Sequence, residues 1–298
     1  MRKLLRAFWR LLAAPFRWLG RSFHELRLFL TEEPEDTPLA DSFQKAINQP
    51  QDLLYHLNAL RKHIFRALGF LFLTTVISFA FTSQIIDFLA GPIGGIEKLI
   101  AIDPTEPIGT FMRVALLSGF ALAFPYIALE IWLFAAPGLG RGSRLFALAA
   151  IPIATLFFLG GMAFAFFVMM PTALPFLLNF MGLTTQVRPS SYIRFVTGVM
   201  FWIGVAFQFP LVIYVLARIG LVRGQMLAQQ WRLAIVIIAI AAAAITPTVD
   251  PVNMALVMGP MIVLYFLGIA LAYLAQRGRL EAQAGDQESL VAQDHIQS

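Results

Sequence analysis

The chain has 298 residues, of which 59% are hydrophobic and 13% are charged, and its formal net charge is +5. This composition excludes an ordinary soluble domain and indicates a protein that crosses a membrane several times. The absence of cysteine excludes a disulfide framework and thiol-based metal or nucleophile chemistry. The excess of Lys and Arg is interpreted as a signal of membrane topology, with no indication of nucleic-acid binding.

Residues 1–30 are predicted to form a basic amphipathic helix. At 100° per residue, the large apolar side chains between positions 5 and 30 fall on one face, and Arg6, Arg10, Arg17 and Arg21 lie on the opposing side. A helix of this kind lies in the plane of an anionic inner leaflet. A signal peptide is not expected, because the longest gap between arginines, residues 11–16, is too short for its apolar core.

The remaining domain boundaries follow from composition. Residues 31–50 are acidic and contain prolines, which predicts a flexible linker. Residues 51–276 carry the apolar runs and are predicted to be an all-α membrane domain. Residues 277–298 are predicted to be a polar cytosolic tail that is disordered after Arg279.

Apolar runs predict six transmembrane helices in the membrane domain. They lie at residues 64–86, 111–136, 145–170, 193–217, 233–246 and 252–275. The fifth is short, since only 13 residues lie between Arg232 and Thr246. At ~1.5 Å per residue such a helix does not cross a ~30 Å hydrocarbon core. It is either a re-entrant segment or a helix at which the bilayer thins.

The distribution of basic residues predicts that both termini are cytosolic. Eighteen Lys and Arg residues lie in segments on one side, and four lie on the other: Lys98, Arg113, Arg188 and Arg194. Without the seven residues of the N-terminal helix the ratio is still 11 to 4. Six spans with both ends inside satisfy the positive-inside rule, and five spans would break it.

The predicted outer loops contain residues that we interpret as structural. The first loop, 87–110, is rich in Pro and Gly, and we expect an ordered cap with a short helix near 93–101. In the very short third loop, Asp250 either caps the sixth helix, with Pro251 at its first position, or contacts a partner. Prolines inside or beside the spans are predicted to kink the bundle: Pro92, Pro125, Pro210 and Pro260.

Short blocks in residues 50–275 follow the order and spacing of one known family. They are His56-Leu57-x-x-Leu60-Arg61-Lys62, Phe124-Pro125, Ile131-Trp132-x-Phe134-x-Ala136-Pro137-Gly138-Leu139, Gly160-x-x-Phe164-x-Phe166-Phe167-Val168-x-x-Pro171, Phe207-x-Phe209-Pro210, Leu221-Val222, Thr246-Pro247 and Asp250-Pro251-Val252. On these blocks the chain resembles TatC, the multispanning receptor subunit of the twin-arginine protein translocase. The resemblance implies a cupped bundle of six transmembrane helices in the inner membrane.

The resemblance also implies a cytosolic site that binds the signal peptides of folded precursor proteins. The residues that it assigns to this site are His56, Leu57, Leu60 and Arg61 before the first span, Phe134 on the second, and Pro137, Arg141 and Arg144 in the following loop. It implies single-span partners of the TatA and TatB type, a homo-oligomer, and export driven by the proton-motive force. No cofactor, metal site, catalytic residue or nucleic-acid partner is expected.

Three positions depart from the acids of the family. A glutamate is expected at each of the first two, where this chain has Ala59 and Ser143, and an acid on the fourth span, where it has Gln208. Two adjacent guanidinium groups are best held by carboxylates, which pair with arginine bidentately. We therefore expect weaker or altered twin-arginine discrimination, with Asn58, Ser143, Asp52 or backbone carbonyls as the remaining acceptors.

Two polar residues inside apolar runs have alternative roles. An acid in lipid normally faces a bundle interior or a water-filled cavity. Glu130 is predicted to lie at the interfacial end of the second span, to contact a partner helix, or to pair with Arg144 or Arg218. Gln208 is predicted either to hydrogen-bond a helix of the same bundle or to meet a polar residue of a TatA- or TatB-type helix.

Other function classes fit the sequence less well. An intramembrane serine protease needs a His base on a span, and all four His residues, at 24, 56, 63 and 295, lie outside the predicted runs. A secondary transporter of a small solute would place ionisable residues at the midplane, where Gln208 is the one strongly polar candidate. A diverged paralogue without receptor activity is the remaining alternative.

Overall fold

The structure, a computed structural model, describes residues 50–135, 143–179, 186–218, 220–246 and 251–297. Side chains are described within 57–134, 150–179, 186–218, 220–246 and 251–278. The predictions for the N-terminal helix (1–30) and for most of the linker (31–50) therefore lie outside the described residues. So do Pro137, Arg141 and Asp250, and the side chains of His56, Ser143 and Arg144.

The described part of the chain is helical. Its α-helices are α1 (Pro50–Ser78), α2 (Thr82–Ala90), α3 (Glu106–Ala135), α4 (Ser143–Phe164), α5 (Met170–Leu178), α6 (Pro189–Ala206), α7 (Phe209–Arg218), α8 (Gly224–Gln229), α9 (Trp231–Ile245) and α10 (Pro251–Gln297). Three 3-10 turns (Phe79–Phe81, Gly91–Ile93 and Ile96–Lys98) and a π-helical turn (Ala165–Met169) adjoin them. Among these residues the β-pairing is a single isolated bridge between Leu99 and Val187.

The apolar segments agree with the predicted spans. Within the described residues, five segments are long and apolar enough to cross a membrane: Leu57–Ile93, Glu106–Phe134, Ala150–Leu178, Pro189–Arg218 and Pro251–Gly278. They confirm the first, second, third, fourth and sixth predicted spans. The apolar helix α9 has 15 residues, about 22 Å of helix, so the prediction of a short fifth segment is also confirmed.

The fourth span is interrupted at Gln208. Helix α6 ends at Ala206 and α7 begins at Phe209. Pro210, the second residue of α7, has no N–H with which to continue the hydrogen bonding of α6. The kink predicted at Pro210 is therefore a break, whereas α3 and α10 continue as helices through Pro125 and Pro260.

The first outer loop forms an ordered cap, as predicted, although from 3-10 turns and not from an α-helix. Gly94 and Gly95 both have positive φ, 91° and 107°, a conformation that glycine adopts without steric cost. The backbone N–H of Ile100 donates to the carbonyl of Val187 at 3.0 Å, and the Tyr192 hydroxyl donates to the carbonyl of Leu89 at 2.6 Å. These bonds attach the start of α6 to the cap.

Contacts between residues divide the chain into two compact units, and the first comprises Met1–Leu159 and Thr185–Thr197. In its described part, α1 packs closely against α3. A Cβ atom at Gly119 would lie 2.6 Å from the Cα atom of Thr75, so only glycine permits this approach. The Thr74 hydroxyl donates to the Gly119 carbonyl at 2.8 Å, and the hydroxyls of Ser78 and Ser118 are hydrogen-bonded.

The second unit comprises Gly160–Thr184 and Gly198–Ser298. In its described part, α10 packs against α7 and α9. Small residues allow close approach: Gly224 faces the ring of Tyr273. The core of the α7–α10 pair contains Ile213, Ala217, Ala272 and Ala275.

The tail prediction is wrong in one respect. Helix α10 begins at Pro251, as predicted, and continues to Gln297, so the backbone after Arg279 is helical and not disordered. The physical reason is its composition. Ala, Gln, Glu and Leu are strong helix formers, and the segment after Arg279 is rich in them and contains no proline.

Candidate functional site

The residues predicted to bind signal peptides lie on two helices of the first unit. Leu57, Leu60 and Arg61 occupy the early turns of α1, and Phe134 lies in the last turn of α3. Leu57 and Arg61 are exposed, while Leu60 and Phe134 are half-buried. The Arg61 guanidinium lies 5.6 Å from the centre of the Phe65 ring, within cation–π range.

Glu130 lies one turn before Phe134, and its buried carboxylate contacts two side chains of α1. Its side chain is 1% exposed. The Oε2 atom of Glu130 is hydrogen-bonded to the Nδ1 atom of His63 at 2.6 Å, and the Nη1 atom of Arg66 is 3.8 Å away. The exposed fractions of the His63 and Arg66 side chains are also low, 15% and 16%.

These partners on α1 are not among those predicted for Glu130. The side chain of Arg144 lies outside the described ones, and Arg218 belongs to the second unit. The burial argues against a side chain exposed at the membrane interface. Contact of Glu130 with a partner helix stays a prediction, and the geometry favours an internal role.

The pairing continues along both helices as a ladder of side chains. On α1 the positions are His63, Arg66, Phe70 and Thr74; on α3 they are Phe134, Glu130, Tyr126 and Gly119. The rings of His63 and Phe134 meet edge to face at 6.1 Å, and those of Phe70 and Tyr126 lie 4.4 Å apart. Steps of three, four or seven residues return to the same face of a helix, so the ladder follows from two helices that pack in opposite directions.

The electrostatics of this cluster explain why an acid is tolerated in an apolar segment. A buried carboxylate is costly unless it is paired and hydrogen-bonded. Here the Oε2 atom of Glu130 is hydrogen-bonded to His63 and also lies near the guanidinium of Arg66. The hydropathy pattern, whose first apolar run begins at residue 64, does not reveal this cluster, because His63 and Glu130 lie 67 positions apart in the chain. His63 lies one residue before that predicted run, beside Arg61 and Lys62, on the helical segment Leu57–Ile93.

The other end of α3 carries a second buried carboxylate. Glu106, in the first turn of α3, accepts hydrogen bonds from Arg188 and from the hydroxyl of Ser190, the latter at 3.2 Å. Beside it, Asp103 accepts from the backbone N–H of Thr105 at 2.9 Å and from its hydroxyl at 2.8 Å. These bonds, with the backbone N–H the larger cause, lower the pKa of Asp103 below its usual range. The predicted structural residue Pro92 lies in the Gly91–Ile93 turn of the same cap.

Gln208, the residue predicted to meet a partner helix, lies in the second unit at the break between α6 and α7. Its carbonyl accepts from the backbone N–H of Val212 at 3.0 Å. Its side chain lines a cavity of about 580 Å³, whose walls come from α6, α7, α8, α9 and α10. The partner contact stays a prediction. Across the described ranges of both units, no three His, Asp or Glu side chains gather as a metal site would require.

Comparisons with known proteins agree on one family. The family model described as "TatC: Sec-independent protein translocase protein (TatC)" matches residues 55–260. The chain is 36% identical over 248 residues to the Sec-independent protein translocase protein TatC of Deinococcus radiodurans, covering 80% of this chain and 91% of that protein. It is 32% identical over 228 residues to the TatC protein of Carboxydothermus hydrogenoformans, covering 76% and 94%. A crystal structure of the twin-arginine translocase receptor TatC superposes with a TM-score of 0.67 at 30% identity, covering 74% of this chain and 99% of that one.

Proposed function

The chain belongs to the TatC family of Sec-independent protein translocase proteins, and we propose that it binds the signal peptides of folded precursors at the cytosolic face of the inner membrane. It is a multi-pass membrane protein of a family that takes part in protein translocation. In this proposal both termini are cytosolic, which the 11 to 4 excess of basic residues supports.

The observation that carries the proposal is the ladder between α1 and α3. Its last members, the His63–Glu130 hydrogen bond and the His63–Phe134 ring contact, hold the early turns of α1 against the end of α3. Those are the two described segments to which the family resemblance assigns the signal-peptide site. Leu60 and Arg61 lie within one turn of His63, so the ladder sets their position relative to Phe134.

The chemistry of the surface near these residues suits the apolar part of a signal peptide better than its arginine pair. Leu57, Ile64 and Phe65 are about half exposed. Residues 57–66 contain three Arg or Lys and no carboxylate, and Glu130 is already engaged by His63 and Arg66. In our proposal the arginine pair is therefore held by Asn58, Ser143, Asp52 or backbone carbonyls. Because charge-assisted pairing is stronger than neutral hydrogen bonding, discrimination is weaker than with acids at positions 59 and 143.

Partners complete the proposed function. Single-span helices of the TatA and TatB type would pack on the spans, with Gln208 as their polar contact, and the subunit would form a homo-oligomer in a translocase driven by the proton-motive force. The named relatives support the translocase assignment. A Gln208→Leu variant that folds and assembles but loses export would support the partner contact, whereas unchanged export would contradict it.

The experiment that tests the receptor role measures binding of a twin-arginine signal peptide to the purified protein in detergent. The matched control is the same peptide with Lys-Lys in place of Arg-Arg. We expect a preference for Arg-Arg that grows in the double variant Ala59→Glu, Ser143→Glu. The absence of any preference in either protein would overturn the receptor role and identify a diverged family member.

A further inference from the structure

The early turns of α1 present basic side chains on an exposed face. Arg61 and Lys62 are both exposed. Among the described side chains, Arg61 contacts the ring of Phe65, and neither Arg61 nor Lys62 forms an ion pair with a carboxylate. Asn58, also exposed, precedes them by three and four residues, which places it on the same side of the helix. This basic face of α1, Asn58, Arg61 and Lys62, can therefore receive an acidic partner.

The proposed signal-peptide site carries net positive charge even when its whole sequence is counted. Residues 37–66 contain four Lys or Arg and two Asp or Glu. Arg141 and Arg144 add two positive charges and Glu130 adds one negative charge, which gives a net charge of +3. Like charges repel, so a site that receives two arginines needs carboxylates from another part of the chain.

Carboxylates of this kind lie shortly before α1 in the sequence. Residues 32–36, the acidic segment, contain four acids and no Lys or Arg: Glu32, Glu33, Glu35 and Asp36. The acidic segment lies outside the residues that match the family model, which begin at residue 55. When it is included, the net charge of the site changes from +3 to −1. The charge of the segment is therefore complementary to the basic face.

The length of the chain allows the acidic segment to reach the basic face. The described backbone begins at Pro50, 14 residues after Asp36. A flexible chain of that length spans about 20 Å on average. Arg61 lies 11 residues beyond Pro50 on α1, about 16 Å of helix. The two distances are similar, so the segment can fold back onto the basic face, at an effective concentration of about 1 mM.

The predicted N-terminal helix is the other basic element close to the acidic segment in sequence. Residues 1–30 contain seven Lys or Arg, and this helix is predicted to lie on an anionic leaflet. Lipid phosphates neutralise its basic side chains there, and the same surface repels carboxylates. The basic face of α1 is therefore the favoured partner of the acidic segment.

We propose that the acidic segment docks on the basic face of α1 and reverses the charge of the signal-peptide site. Carboxylates of the segment pair with Arg61 and Lys62, and the remaining ones remove the repulsion that the arginine pair of a signal peptide would meet. This consequence for signal peptides rests on the proposed receptor function, whereas the docking itself does not.

The test of docking measures distances between spin labels in the full-length protein in detergent. The chain has no cysteine, so labels on Pro34→Cys and Asn58→Cys report this contact alone. Docking should give a population of short distances beside the broad distribution of a free tether. Neutralisation of the segment (Glu32→Gln, Glu33→Gln, Glu35→Gln, Asp36→Asn) should lower the ratio of docked to free molecules about tenfold, since each of two exposed ion pairs contributes a factor of about 2–5.

Charge controls show whether the contact is electrostatic. Arg61→Gln, Lys62→Gln should lower the ratio as much as the neutral segment does, and so should about 1 M salt, at which the Debye length is about 3 Å. Asp286→Asn, Glu288→Gln, which removes two acids from the C-terminal tail, is the matched control and should leave the ratio unchanged. Equal distance distributions in all variants would overturn the docking, because the tether alone would then set the distances.

Peptide binding tests the consequence for the site. The neutral segment should weaken binding of the twin-arginine peptide about tenfold, and the tail control should not. Unchanged or tighter binding would overturn the charge reversal, since the segment would then be a bystander or a competitor of the peptide. If the unaltered protein bound no signal peptide, the receptor role and this consequence would both fail, while the spin-label distances would still decide the docking.

Discussion

The two ends of α3 use the same chemistry in different surroundings. Glu130 and Glu106 are both buried carboxylates paired with a basic side chain from another segment. The partners of Glu130 lie on α1 and are themselves mostly buried, whereas Arg188, the partner of Glu106, is 45% exposed. When its ion pair is broken, Arg188 can be solvated by water, which replaces much of the lost electrostatic stabilisation. His63 and Arg66 are mostly buried, so water solvates them poorly. The comparison indicates that the burial of the basic side chain determines how much unfolding free energy is lost when each pair is broken.

The largest effect is expected from Glu130→Ala, which leaves two mostly buried basic side chains without their carboxylate. Removal of one partner from a buried ion pair costs about 3–5 kcal/mol. The unfolding free energy of the protein in detergent should fall by that amount in a denaturant titration. Glu106→Ala is the matched control, the same change on the same helix, and should cost clearly less. Equal losses at both positions would contradict the comparison.

A smaller effect is expected from Gly119→Ala, in the α1–α3 interface between the two ends. The added Cβ atom would lie 2.6 Å from the Cα atom of Thr75, a backbone atom that moves only with α1. Overpacking of this kind costs about 1–3 kcal/mol. Gly109→Ala on the same helix is the control, because nothing lies within 4 Å of its added methyl group. If both variants unfold at the same denaturant concentration, the close helix approach does not exist.

Gly119→Ala also sharpens the comparison of the two ends. Separation of α1 from α3 should lengthen the His63–Glu130 contact, while the cap around Glu106 has no part of α1 among its hydrogen-bond partners. Hydrogen exchange should therefore rise at the ends of α1 and α3 near Glu130 and stay unchanged near Glu106. A uniform rise across α3 would show that the two ends are not independent.

Arg188→Gln is expected to have a modest effect. Water screens the half-exposed guanidinium, and the buried Glu106 carboxylate keeps two neutral donors, the hydroxyl of Ser190 and the amide of the introduced glutamine, so the loss should be roughly 1 kcal/mol. We expect a small loss of unfolding free energy together with faster hydrogen exchange at Ile100, whose N–H donates to the carbonyl next to Arg188 in the chain. Arg113→Gln, an exposed arginine on α3, is the control and should change neither quantity. A loss as large as that of Glu130→Ala would contradict the role given to solvent.

The spans were predictable from sequence and the ion pairs were not, for a physical reason. A run of apolar residues and the proline at position 210 are local signals, and they located the spans and the break beside Gln208. The Glu106–Arg188 pair joins residues 82 positions apart and the His63–Glu130 pair joins residues 67 apart. Both depend on how segments distant in sequence pack, which a hydropathy pattern does not contain. The residues Leu57, Leu60, Arg61 and Phe134 came from a family resemblance, and the ladder that positions them became visible only in the structure.

The helical tail has a similar explanation at the local level. Its polarity suggested disorder, since a polar segment buries too little apolar surface to fold alone. Helix propensity acts separately from burial, however, and a helix that has already started at Pro251 needs no new nucleus to extend. The segment after Arg279 therefore continues α10.

The smallest effect is expected from Asp103, in the cap at the Glu106 end. The hydrogen bonds from Thr105 lower the pKa of Asp103 from its usual value of 3.8. Since the folded-state pKa lies below the unfolded one, the stabilisation is complete above the unfolded pKa and is lost as the pH falls through the folded pKa. The unfolding midpoint of the protein should therefore fall slightly more than that of Asp103→Asn between about pH 6 and about pH 3.

The two donors of Thr105 make this prediction sharper. The backbone N–H is the larger cause of the lowered pKa and the hydroxyl the second. Thr105→Ala removes the hydroxyl and keeps the N–H, so it should retain most of the acid-dependent loss that Asp103→Asn removes. If Thr105→Ala removed all of it, the hydroxyl would be the main donor. If Asp103→Asn retained all of it, the acid sensitivity would belong to other carboxylates, and the cap would be held by Glu106 and Arg188 without a contribution from Asp103.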